Sequence, residues 1–124
     1  MPAVETARTN HSVSVAMADF VVSRDRDAVL VSHGLGSCLA VCLFDAEARV
    51  AGMLHFMLPD SRIALDQASR FPGMFCDTGL PAVFQAAYAL GAVKSRLAVS
   101  VVGGAQLLDG DAVFDVGRRN YLAL

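Results

Sequence analysis

The chain has 124 residues, 55% of them apolar, with 12 acidic against 10 basic side chains and a formal net charge of −2. That length and apolar fraction suit one domain with its own core and argue against two. The charges are scattered and give no electrostatic footprint for nucleic acid, so protein or small-molecule partners are expected. No apolar run approaches the roughly eighteen residues that span a bilayer, which predicts a soluble protein without membrane insertion. Three cysteines, an odd number with no CxxC pair, argue against a disulfide framework and a tetrahedral zinc site. A reducing, cytoplasmic setting follows, with neither metal nor cofactor expected.

The opening residues MPAVETARTNHS carry an acid, a base and no apolar h-region. Residues 1–12 therefore read as a flexible tail and not a signal peptide, with residues 13–124 as one domain. Val13 to Val22 reads as a strand, Ser23 to Asp27 as a charged turn, and Ala28 to Ser32 as a second strand. Leu39 to Phe44 and Arg49 to Leu58 follow as two strands joined by Asp45-Ala46-Glu47-Ala48, a stretch suited to a hairpin around a type I turn. Pro59 to Pro72 lacks a clean period and reads as a loop with one helical turn at most. It would border the end of the preceding strand, where a substrate could approach.

Asp77 and Thr78 supply N-cap chemistry for a helix to about Leu90, with Pro81 in its first turn and Gly91 as its stop. Leu80, Val83, Phe84, Ala87 and Leu90 form one apolar stripe, read as core contact. Arg96 to Val102 is a strand ending at the turn Gly103-Gly104, and Val113 to Val116 a short last one.

Gly34-Leu35-Gly36-Ser37-Cys38 is followed seventeen residues later by His55, within Gly52-Met53-Leu54-His55-Phe56-Met57-Leu58-Pro59. If Phe44 faces Arg49 across the hairpin, Cys38 lies directly opposite His55 on one face, with Cβ atoms roughly 4.5–5.5 Å apart. A one-residue slip would turn His55 to the other face. Cysteine is intrinsically nucleophilic near neutral pH when a base raises its thiolate fraction, and His55 would be that base. On this reading Cys38 alkylates faster than Cys42 and Cys76. Gly34 and Gly36 allow a sharp bend that exposes amides near Gly36, Ser37 and Cys38 as an oxyanion site. Ser32 is the nearest candidate to orient the imidazole, with His33 a lesser rival base. From the residues alone a packed thiol and a hydrogen-bonded core histidine account for Cys38 and His55 as well, and packing is the preferred reading of Cys42 and Cys76. A phosphate loop is a poor account of GLGSC, which lacks a third glycine and a lysine.

The segments SHGLGSCLAVCLFD and AGMLHFMLP closely resemble the CheD family of chemoreceptor glutamine deamidases. That family carries T-x-G-L-G-S-C-V-A-V-C-L-x-D and then G-G-M-x-H-x-M-L-P. Phe75-Cys76-Asp77-Thr78, Val102-Gly103-Gly104-Ala105 and Val116-Gly117-Arg118-Arg119-Asn120 continue the likeness, which covers roughly residues 14–120. The resemblance implies hydrolysis of glutamine side-chain amides in the cytoplasmic helical bundle of chemoreceptors, with Cys38 as nucleophile, His55 as base and Ser32 in place of the family's threonine. It implies an α+β fold, a layered sandwich of mostly antiparallel or mixed sheets with a helix packed outside. A chemotaxis phosphatase of the CheC type is an implied partner. The family normally continues some forty residues past its I-G-x-R-N segment, so this chain reads as shortened at the C-terminus, with Asn120 to Leu124 the first turn of a helix. An open sheet edge, and hence a homo-oligomer or a partner-bound state, is then expected. The competing readings are a catalytically inactive binding module for the phosphatase or receptor, and a cysteine hydrolase of unrelated substrate on the same fold.

Overall fold

The computed structural model describes residues 10–105 and 116–124. Six strands, β1 (His11–Ser14), β2 (Asp19–Ser23), β3 (Ala28–Val31), β4 (Leu39–Asp45), β5 (Val50–Phe56) and β6 (Ala98–Gly103), precede or enclose three helices, α1 (Leu65–Arg70), α2 (Cys76–Ala89) and α3 (Val116–Ala123). The central sheet is antiparallel in the order β2-β5-β4-β6, and β1 pairs with β3 in a separate parallel ribbon. This is the expected α+β layering.

The period-2 alternation of β4 and β5 divides the sheet into two unlike faces. Leu39, Val41 and Leu43 join Val50, Leu54 and Phe56 against Cys76, Val83, Ala87 and Ala92, with Leu80, Phe84 and Leu90 packed around them. The apolar stripe read on α2 is therefore core contact. The other face carries Ala40 and Cys42 of β4 and His55 of β5, and there the β1–β3 ribbon meets the sheet through Ser32 and His55. The candidate chemistry thus sits on the side away from α2.

The hairpin differs from expectation. Asp45 pairs with Val50, and the loop is Ala46–Arg49, one residue later than the sequence suggested. The Asp45 carboxylate accepts the N–H groups of Glu47 and Ala48, which starts the turn at Asp45, and Arg49 closes it in the left-handed region at φ 59°. Facing pairs are consequently displaced by two residues, and Ala40, not Cys38, lies opposite His55. A two-residue displacement keeps the face, so Cys38 becomes a diagonal neighbour.

Val13 to Val22 is not one strand. It breaks between β1 and β2 at Ala18, whose φ is 67° and whose N–H donates to the His55 carbonyl, because the chain here leaves the ribbon for the main sheet. His11 and Ser12, expected in the tail, belong to β1; residues 1–9 lie outside the described residues. The 59–72 segment holds more helix than expected, a 3₁₀ turn at Ser61–Ile63 and then α1. Residues 57–58 leave β5 and bond instead to the chain before α2 (Met57 N–H to Met74 O, 2.8 Å; Leu58 bridged to Phe75).

Neither Asp77 nor Thr78 caps α2. The N-cap is Phe75, because Asp77 accepts the Ser61 N–H and hydroxyl while Thr78 donates to Pro72 O, so both side chains fasten neighbouring loops. Pro81 accordingly lies in the second turn. Gly91 is the stop, at φ 108°, within a Schellman arrangement in which Ala92 N–H bonds Ala87 O and Gly91 N–H bonds Tyr88 O. The last strand of the sheet begins at Ala98 because Lys94–Arg96 form a 3₁₀ turn. The strand expected at Val113 to Val116 falls at 113–115 outside the described residues, and Val116 opens α3.

Candidate active site

Cys38 stands at the mouth of β4, 8% exposed. Its N–H donates to Leu35 O at 2.6 Å, closing a tight turn in which Gly36 has φ 46° while Ser37 stays on the negative side. That is a type II′ turn, whose first central position calls for glycine. The bond also removes the Cys38 amide from the expected oxyanion site. The amides of Gly36 and Ser37 donate to no acceptor among the described residues.

The turn is held from outside. Gly104 N–H donates to Cys38 O at 2.8 Å, Ala105 N–H to Gly36 O at 2.9 Å, and Asn120 Nδ2 to Ser37 O at 3.0 Å. Gly103, at φ 109°, lies so close that an added Cβ would stand 2.3 Å from Cys38 O. The sequence marked Gly103-Gly104 as a turn and gave Asn120 no role; neither periodicity nor local spacing signals a contact with a loop more than sixty residues away.

His55 is 1% exposed. Its Nδ1 lies 2.7 Å from Ser32 Oγ, and the Ser32 hydroxyl donates to Val15 O at 3.1 Å. A serine hydroxyl has one hydrogen. Once it goes to the Val15 carbonyl, Nδ1–H must be the donor to Oγ, and Nε2 carries the lone pair. Nε2 is buried and makes no hydrogen bond among the described residues. Ser32 therefore orients the ring and sets its tautomer, leaving a bare acceptor nitrogen on the face that Cys38 shares. The rival base, His33, is exposed.

Burial pushes the Cys38 thiol above its usual value and the His55 imidazole below its own. Both shifts favour the uncharged forms, a thiol and a neutral imidazole, against the raised thiolate fraction expected from sequence. Burial raises Cys42 as well, and burial with the nearby Asp77 carboxylate raises Cys76 to about 11. Cys76 lies in the core cluster, in keeping with packing. Among the described residues no group of three or more His, Cys, Asp or Glu could hold a metal ion, and no helix is long and apolar enough to cross a membrane. A cleft of about 350 Å³, lined by Met17, Ala18, Asp19, Arg70, Phe71 and Gly73, opens between β2 and the end of α1. It borders the end of the 59–72 segment; Cys38, His55 and Ser32 do not line it, and Ala18 on its wall donates its N–H to His55 O.

The family model described as CheD chemotactic sensory transduction matches residues 57–124. Over 110 residues the chain is 46% identical to the probable chemoreceptor glutamine deamidase CheD 1 of Syntrophus aciditrophicus, covering 89% of this chain and 69% of that protein. It is likewise 46% identical over 112 residues to the probable chemoreceptor glutamine deamidase CheD 2 of Anaeromyxobacter dehalogenans (90% and 70%). Against the Desulforamulus reducens relative the identity is 38% over 120 residues (94% and 70%). With more than half of its length matched by the family model and two-thirds of such relatives spanned, the chain belongs to the CheD family.

Proposed function

We propose that this protein is a cysteine hydrolase that converts glutamine side chains of chemoreceptors to glutamate and ammonia in chemotaxis adaptation. The observation that carries this reading is the Val15–Ser32–His55 relay, which leaves Nε2 as an acceptor on the face shared with Cys38. The names of the relatives supply the substrate class. Nε2 takes the thiol proton as Sγ attacks the carboxamide carbon, and the Gly36 and Ser37 amides face the developing oxyanion. The C–N bond then breaks, His55 returns the proton to the departing ammonia, and a thioester remains. Water, deprotonated by Nε2, cleaves the thioester to the carboxylate, and the proton passes back to the thiolate.

The substrate on this reading is the cytoplasmic helical bundle of the receptor, so the protein acts in the cytoplasm, and a phosphatase of the CheC type is a further partner. The exposed outer strand β6 supports burial against a second copy of the chain or against such a partner. The deciding experiment is mass spectrometry of a receptor cytoplasmic fragment after incubation with the protein and with Cys38→Ala. Conversion of glutamine to glutamate only with intact Cys38 is the expected result; none, from folded protein, would leave the binding-module reading.

A further inference from the structure

Resting on the Cys38–His55 reading above, we propose that Asn120 is a positioning residue that locks the nucleophile loop to the strand carrying the base. Asn120 lies in α3, is fully buried, and donates from Nδ2 to Ser37 O at 3.0 Å and to Met57 O at 2.8 Å. Ser37 immediately precedes Cys38, and Met57 follows His55 by two residues. The last main-chain rung between β4 and β5 is Leu39 with Phe56. Just beyond that rung two carbonyls, those of Ser37 and Met57, turn towards the same point. Carbonyls only accept, so they cannot bond each other; a primary amide, with two hydrogens on one nitrogen, satisfies both. Asn120 thus adds a side-chain rung to the sheet at the point where the main-chain ladder stops.

The position of that rung gives it a chemical consequence. Cys38 and His55 are diagonal neighbours and not a facing pair, and Nε2 makes no hydrogen bond among the described residues, so the main-chain ladder alone does not set the approach of the thiol to Nε2. A small hinge of the loop about Leu39 would alter that approach, and a misplacement of about 1 Å at a reacting centre can cost on the order of a hundredfold in rate. Asn120 Oδ1 is itself buried without a partner among the described residues, an unfavourable arrangement that a packing residue would not require.

The test uses Asn120→Ala and the isosteric Asn120→Asp, which puts a carboxylate oxygen where a donor is needed. Each is read for kcat and KM in receptor deamidation and for the pH profile of Cys38 alkylation by iodoacetamide, beside His55→Ala. Both variants are expected to lower kcat by about 10–100-fold with KM changed less than about threefold. Their alkylation profiles should lose the His55-dependent limb and overlay that of His55→Ala. A kcat within about twofold of the unaltered protein, with the limb retained, overturns the proposal while leaving the deamidase reading intact. Absence of deamidation by the unaltered protein, with the limb present and lost in the Asn120 variants, overturns the activity and retains the clamp. Should the variants fail to fold, the side-chain amide protons of Asn120 are followed by NMR in the unaltered protein: a shift on carboxamidomethylation of Cys38 supports the clamp, and none overturns it.

Discussion

Ser32 has a single hydroxyl hydrogen, and its donation to Val15 O is what leaves Nε2 of His55 as the acceptor nitrogen, the base of the proposed mechanism. Ser32→Ala should therefore lower kcat by about 10–100-fold with little change in KM, since polar groups that fix a ring's tautomer typically contribute that much. Ser32→Thr should retain most activity, as it keeps the hydroxyl; steady-state kinetics on a receptor fragment check both. The pH profile follows from the directions of the two shifts. Protonating His55 removes the base, and burial holds its value low, so the acid limb of kcat/KM should lie below the ordinary histidine value of about 6.5. The raised thiol puts the alkaline limb above the usual cysteine range. For folding, the unfolded chain takes up this proton at about 6.5 and the folded chain only at lower pH. The contribution of neutral His55 is thus full above that value and lost as pH falls below it, which denaturant melts across the acid range would show.

The β4–β5 hairpin is set by Asp45, and its consequences belong to the element. The fully buried carboxylate accepts from Ala48, Glu47 and Val93 N–H groups and pairs with Arg96 at 3.0 Å. The Ala48 bond first, then those from Val93 and Arg96, lower it to about 2. A depressed carboxylate stabilises the fold above its unfolded value and ceases to as pH falls through the folded one. Asp45→Asn should therefore flatten the loss of stability between the ordinary aspartate value, about 3.9, and about 2, as urea midpoints would register. Arg49→Gly, relieving a left-handed residue, should raise stability by about 0.5 kcal/mol, the left-handed cost less the added entropy of glycine. At the far end of β6, Gly103→Ala would drive a Cβ into Cys38 O. We expect deamidation and His55-dependent alkylation to fall together while the hairpin stays folded by circular dichroism.

At the scale of the molecule, α2 covers only part of the sheet. Val41 and Leu43 lie under it, whereas their neighbours Val101 and Val99 across the β4–β6 ladder are 41% and 50% exposed. An apolar strip on an edge strand is a template for further pairing. Light scattering on the eluting protein should give a mass above the monomer, and Val101→Lys should reduce it to that of one chain. Much of the layering was legible beforehand: the strands read at Leu39 to Phe44 and Arg49 to Leu58 announce the centre of the sheet, and the stripe from Leu80 to Leu90 announces the helix face that covers it. The boundaries were less so. Asp77 and Thr78 have the chemistry of caps, but Ser61 and Pro72 O claim their side chains, and such competition comes from residues brought near by folding.

Local rules sufficed for whatever a few neighbouring residues decide. The strands of the central sheet, the long helix, the glycine turn before Cys38, the stop at Gly91, and Ser32 as the hydroxyl nearest the His55 ring were all present in the chain as written. The two-residue displacement that sets Cys38 diagonal to His55 was not, because it depends on whether Phe44 or Asp45 closes the hairpin, which the Asp45 carboxylate decides through bonds reaching as far as Val93 and Arg96. The tautomer of His55 needed Val15, and the seat of Cys38 needed Gly103, Gly104 and Asn120. Hydrogen bonds that span from 17 to 83 residues leave no period or spacing in a sequence; only the closing of the sheet brings their donors and acceptors together.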